Sequence, residues 1–315
     1  MGKRKIEELK VISESPKQRP YASKISFVLG KGHEFGFDGE VCLLTGEKAI
    51  VRISPTQDIQ REEGKKLQNL IATVEAFATA GKAEQMGLKL SLALLWTAIS
   101  MKVPLKLVYH TPHPCMVYDR SQRRGSISMS EGAMLHLRTN GHKVAEILDQ
   151  VFSKEIIVDP KILISMELFA SARLESTERT RFIGLVSSLE PLTTPKPYDN
   201  QQIENLVSDF ITQINSIPSI PDHVRDSISG RARDLCDESI SQAIVRSVKN
   251  YFPNNTYVVE SVKEAYSIRS SILHEGTFDA DLDKRSSELE DIIRHIYSQI
   301  LEIPLVAPVI IQNNV

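Results

Sequence analysis

Arg269-Ser270-Ser271-Ile272-Leu273-His274, followed by Glu275 and Gly276, puts a guanidinium, a hydroxyl and an imidazole into one short stretch. Such a set can serve phosphodiester chemistry. An arginine holds two phosphate oxygens at once, and a histidine moves protons near neutral pH. The stretch ends a segment, Val258 to Glu275, whose periodicity predicts an amphipathic helix. Val262, Ala265, Tyr266, Ile272 and Leu273 fall on its apolar face, and Arg269 falls in the middle of that face. A guanidinium is almost never buried alone, so Arg269 requires a carboxylate, a carbonyl, a subunit partner or a phosphate. His274 precedes Gly276, where a helix naturally stops, and a protonated histidine in a last turn suits the helix dipole. On spacing alone, ion pairs with helical carboxylates are the favoured role of both residues.

These residues need a scaffold, and composition bounds it. A chain of 315 residues favours two domains. Apolar content of 41% and charged content of 25% fit an ordinary globular core. A net charge of -2 gives no support for nonspecific nucleic-acid binding, so any RNA contact must rest on local patches. Cys42, Cys115 and Cys236 are far apart and odd in number, which argues against a disulfide framework and fits a reducing, cytoplasmic setting. The basic N-terminus lacks a following apolar run, and the longest apolar stretch, Leu88 to Ile99, is too short to span a bilayer. The expectation is a soluble protein with no membrane contact.

The fold class expected is α+β overall, an N-terminal α+β domain followed by an all-α bundle, with the boundary near residue 155. Residues 1–20 read as a polar arm. ISFVLG, EVCLL and AIVRI read as short strands broken by glycines. From Glu62 to about Met101 the spacing of Leu67, Leu70, Ile71, Val74 and Phe77 predicts helix, broken at Gly81 and Gly87. LKLVYH and CMVY predict strands, and Glu131 to Phe152 a helix with a break at Asn140-Gly141. Asp159-Pro160 is an N-cap followed by proline at the first helical position. Beyond it, helices are expected over about 160–175, then RFIGLVSSLEPL, then 200–216, 221–250 with a break at Gly230, the Arg269 helix, and 280–301. The tail PLVAPVIIQNNV reads as a docked extended arm.

The C-terminal half resembles the HEPN domains, and within them the Apea-like branch. The resemblance rests on SMELFASARLESTERTRFIGLVSSLEPL, an early helix pair, and on AYSIRSSILHEG, a late helix. The family motif is arginine, four to six residues, then histidine, commonly with a polar residue after the arginine. Here that is Arg269, polar Ser270 and His274. The resemblance implies residues 156–315 as a HEPN-like helical domain; it does not reach residues 1–155, an α+β domain whose role, sensor or regulatory, stays open. It implies a metal-independent endoribonuclease in a toxin or antiviral defence system, working as a homodimer on RNA without a cofactor, with an antitoxin or regulator as a further partner. It implies Arg269, His274 and Ser270 as the catalytic residues. His274 would act as general base or acid, Arg269 would stabilise the phosphate, and Ser270 would orient either. The alternative is a noncatalytic HEPN-like dimerisation and binding module.

Other motifs carry less. His110, His113 and Cys115 in YHTPHPC offer zinc donors, but two prolines intervene and a fourth ligand is missing, so a strand-end loop is expected. Arg120, Arg123 and Arg124 make a basic loop that fits a solvated turn better than a phosphate contact. Gly30 and Gly32 read as hairpin turns, since no phosphate-loop pattern opens a helix there. Arg173, Arg179 and Arg181 are expected to pair with Glu175 and Glu178 rather than to line an RNA groove. Trp96 is expected in the core.

Overall fold

The computed structural model describes residues 19–30, 33–36, 41–44, 49–55, 61–62, 65–66, 68–108, 114–121, 137–277 and 281–306. Residues 1–18 of the N-terminal arm, the apolar tail from 307, His110, His113, Gly32, Arg123 and Arg124 lie outside them. The class is mixed α+β. The chain forms two compact units, residues 1–188 with 281–310, and residues 189–280 with 311–315. The division does not follow the boundary expected near residue 155. Two of the helices expected in the C-terminal bundle, and its last long helix, pack with the sheet-bearing unit instead.

The first unit is built on an antiparallel sheet. Its strands are β1 (Tyr21–Leu29), β3 (Val41–Leu44), β4 (Ile50–Pro55), β7 (Gln68–Phe77), β8 (Leu105–Val108) and β9 (Met116–Asp119). The order is β3-β4-β7-β1-β8, with β9 also on β1. β8 pairs with Ser26–Leu29 and β9 with Tyr21–Lys24, so two short strands share one long edge. The small pairs β2 (His33–Gly36) with β10 (Leu137–Asn140), and β5 (Arg61–Glu62) with β6 (Lys65–Lys66), stand apart.

β7 overturns the helix expected from residue 62. Its residues satisfy two periods at once. Leu70, Ala72, Val74 and Ala76 are buried at strand spacing, and pairing to β1 on one side and β4 on the other decides the matter. A register shift near Ala22 and a left-handed φ of 75° at Ala76 mark a bulge close to its end.

Helix α1 (Ala80–Met101) lies across this sheet. It is buried on every side from Lys89 to Ser100, as an all-round apolar helix must be. Gly87 permits the approach: a Cβ there would sit 2.7 Å from the Ser23 Cβ. The buried Lys89 ammonium is not wasted, since Nζ donates to the carbonyls of Phe152 (3.0 Å) and Lys154 (2.7 Å) at the end of α2 (Gly141–Ser153).

Beyond α1 lie α2, α3 (Pro160–Ala172), α4 (Glu178–Ser187) and, contributed from far along the chain, α9 (Leu282–Leu301). Asp159 caps α3 by accepting from the Lys161 amide at 2.8 Å. α9 reads as a charged helix, yet it carries the unit's deepest charges. Glu290 is 3% exposed and Arg294 is 0% exposed. Glu290 takes both Arg173, at 3.3 Å, and Arg181, at 2.5 Å. Arg294 donates to the carbonyls of Ile99 (3.0 Å) and Ser100 (3.1 Å) and pairs with Asp291 at 2.9 Å. Arg173 and Arg181 therefore find a distant carboxylate, not Glu175 or Glu178. Ser165 Oγ meets both the Ser188 carbonyl and the Tyr297 hydroxyl, so α3, α4 and α9 share one satisfied polar knot.

The second unit contains α5 (Gln201–Asn215), α6 (Asp222–Arg233), α7 (Ile240–Tyr251) and α8 (Thr256–His274). The single helix pattern expected over 221–250 is two helices. The break is not at Gly230, which stays helical, but at a 3-10 turn, Asp234–Cys236. Ser239 then restarts the chain with a full capping box to Gln242.

Candidate functional site

α8 carries the three residues singled out in the sequence. Asn255 opens it by accepting from the Val258 amide at 3.1 Å. Val258, Val259, Val262, Ala265 and Ile272 bury one face. Leu273, expected on that face, is instead 48% exposed. The helix closes with the Glu275 amide on the Ser271 carbonyl at 2.9 Å, and Gly276 follows at φ +72°, the left-handed position that favours glycine after a helix.

Arg269 is half-buried, as its place on the apolar face requires. Its partner is Glu190, in the 3-10 turn Glu190–Leu192, with Nη2 at 3.1 Å from Oε1. Its guanidinium carbon also lies 5.6 Å from the centre of the Tyr266 ring. The contact with Glu190 is an ion pair by distance only. Among the described residues, neither Glu190 Oε1 nor the buried Arg269 Nε has a hydrogen-bond partner. The charges touch, but the planar fork is not engaged, and hydrogen bonds weaken steeply when misaligned. Arg269 is thus electrically compensated and geometrically unsatisfied.

His274 is exposed in the last turn of α8, and Ser270 is half-buried. Among the described residues, neither side chain meets a hydrogen-bond or ion-pair partner. Five residues along a helix place Arg269 and His274 about 140° apart around the axis and about 7.5 Å apart along it. One protomer therefore brings Arg269 to Glu190 and Tyr266, and leaves His274 directed elsewhere.

The rest of the sequence inventory resolves simply. Arg120 pairs with Glu75 at 3.3 Å, a carboxylate also met by Arg52 at 3.4 Å, so it is a structural contact of the sheet. Cys115 is buried, and that burial first, with the charge of Glu84 second, pushes its thiol up to about 11, which makes it a poor nucleophile. Trp96 is fully buried. Gly30 fits against Pro104, where a Cβ would meet the ring Cβ at 2.7 Å. Among the described residues, no group of three or more His, Cys, Asp or Glu could hold a metal ion. Among them, too, no helix is long and apolar enough to cross a membrane.

Sequence reasoning named the need for a carboxylate at Arg269 but not Glu190. Glu190 sits between a helix end and Pro191 with nothing local to mark it. The segments carrying the HEPN resemblance also divide: the helix pair α3–α4 belongs to the first unit and α8 to the second. Set beside known families, curated proteins and solved structures, the chain matches none of them.

Proposed function

We propose that this chain is a metal-independent endoribonuclease of the HEPN type, acting as a homodimer in the cytoplasm, within a toxin or antiviral defence system. The observation that carries the reading is Arg269: a half-buried guanidinium with an unpartnered Nε and a misaligned carboxylate, on the same helix as an exposed, uncommitted His274. A phosphate would give Arg269 the two-oxygen partner that Glu190 does not.

The chemistry needs three events. A base takes the proton of the 2'-hydroxyl, the 2'-oxygen attacks phosphorus, and an acid protonates the leaving 5'-oxygen. The products are a 2',3'-cyclic phosphate and a 5'-hydroxyl end. His274 fills the base or acid role, and the His274 of a second copy fills the other. Arg269 stabilises the charge that grows on the phosphate. Ser270 orients Arg269 or the phosphate. The sheet-bearing unit is the natural place for a trigger, an antitoxin or another regulator to act.

The test is cleavage of one RNA in EDTA by the full chain and its variants. His274→Ala is expected to lose on the order of 10²–10⁴-fold in rate, and Arg269→Ala a similar factor. Arg269→Lys also fails, because a point charge does not make the bidentate contact. If His274→Ala cuts as fast as wild type, the assignment is wrong. A second reading, a noncatalytic dimerisation and binding module, is favoured by one observation: Glu190 already meets the charge of Arg269. It predicts no cleavage by wild type under any trigger.

A further inference from the structure

Between α7 and α8 the second unit holds an open groove of about 460 Å³. Arg246, Lys249 and Asn250 line it from α7, and Glu260 and Lys263 from α8. Three cations thus face one carboxylate. They differ in how firmly they are held. Arg246 is committed to Glu238, with Nε at 2.9 Å from Oε1, and to the Thr194 carbonyl. Lys263 meets Glu260 only at 3.5 Å, with both side chains more than half exposed, a kind of pair that contributes little in water. Among the described residues, Lys249 and Asn250 hold no side-chain partner.

The helical repeat ties this groove to His274. Counted from Lys263, residues Ser267, Ser270 and His274 come round to within about 40° of the same line. Lys263, Ser267 and His274 are exposed and Ser270 is half-exposed, so the line is a continuous polar track. It starts at the groove and ends, about 16 Å further on, at the imidazole. Arg269 stands off this track, consistent with approach to the phosphate from the side.

Resting on the ribonuclease reading, we infer that the α7–α8 groove is the binding subsite for the single-stranded backbone of the RNA, with Lys249 and Lys263 as its phosphate contacts. A positive groove that follows a strand's phosphates is how single strands are held without sequence readout. The spacing from groove to imidazole leaves several nucleotides between the anchored phosphates and the scissile one. Arg246, held by Glu238, shapes the wall that positions Lys249, one helical turn later.

The experiment uses full-length His274→Ala protein, so that binding is measured without cleavage. Affinity for a labelled single-stranded RNA is read by fluorescence anisotropy across a salt series. Adding Lys249→Ala and Lys263→Ala is expected to weaken binding on the order of tenfold at low salt. The slope of log K against log salt should become shallower by about 1.4, from about 0.7 for each of two single-strand phosphates. Lys106→Ala with Lys143→Ala, two exposed lysines of the other unit, is the control and should change neither. Unchanged affinity and slope in the groove variant, or equal weakening in the control, overturns the proposal. The outcome is separable from the cleavage test. A groove variant with His274 intact that cuts at saturating RNA but binds weakly supports the subsite. Binding lost at the groove in a protein that never cuts would leave the subsite standing while the nuclease reading falls.

Discussion

Two arginine–glutamate contacts in this chain look alike in sequence and differ in physics. In the first unit, Glu290 is gripped by Arg173 and Arg181, and neighbouring Arg294 spends its donors on two backbone carbonyls and Asp291. In the second unit, Arg269 rests against Glu190 with its Nε unused. The first arrangement is deep and bonded from several elements. Its role is to fix where α9 sits. The second is shallower and held by a single carboxylate at ion-pair distance, with no hydrogen bond between the two. Burial draws attention to a charge; an unfilled donor marks a looser grip, one that Arg269 shares with Arg120 and Arg225.

The widest gap between the two should appear on deleting the acid. Glu290→Ala strands two partly buried guanidinium groups, and loss of one partner from a buried pair costs about 3–5 kcal/mol. Urea unfolding should register that loss in the transition of the first unit. A change below about 1 kcal/mol would reduce this cluster to an ordinary surface pair. Arg269→Ala is expected to cost only about 1 kcal/mol, chiefly the stacking on Tyr266 and some apolar cover. A cost as large as that of Glu290→Ala would recast Arg269 as a structural anchor and erase the distinction. The smallest effect is expected from Glu190→Gln, which keeps shape and removes charge. Stability should move by no more than about 0.5 kcal/mol. RNA affinity should rise a few-fold, because a competing anion has left the guanidinium. Weaker binding in Glu190→Gln would mean that the carboxylate positions Arg269 rather than competing for it.

Much of the scaffold was readable locally. Asp159-Pro160 announced the start of α3, and Gly276 the stop of α8, because caps are written in adjacent residues. β7 was misread because one stretch met two periods, and only its neighbours on both sides chose between them. The division into units departs from a boundary near residue 155 for a similar reason. α9 looks like a polar helix of the C-terminal bundle, but Glu290, Arg294 and Tyr297 owe their burial to residues more than a hundred positions earlier. At the site, the anomaly of Arg269 was plain from its place on an apolar face. Glu190 was not, since a partner so far away leaves no trace in spacing. The groove lysines were equally silent, being ordinary surface residues until α7 and α8 come together.

The interrupted path of the first unit sets an order of events on the ribosome. Its chain breaks off at Ser188 and resumes only at Asp281. Everything from 189 to 280 must be synthesised before α9 emerges. Until then Arg173 and Arg181 lack Glu290, the carbonyls of Ile99 and Ser100 lack Arg294, and the apolar flank of α4 is open. The described residues of the unit that holds His274 are contiguous, so it can fold first, while the sheet-bearing unit waits for its closing helix. A released chain ending at residue 280 would therefore keep every helix of the second unit while the first unit stays unfinished.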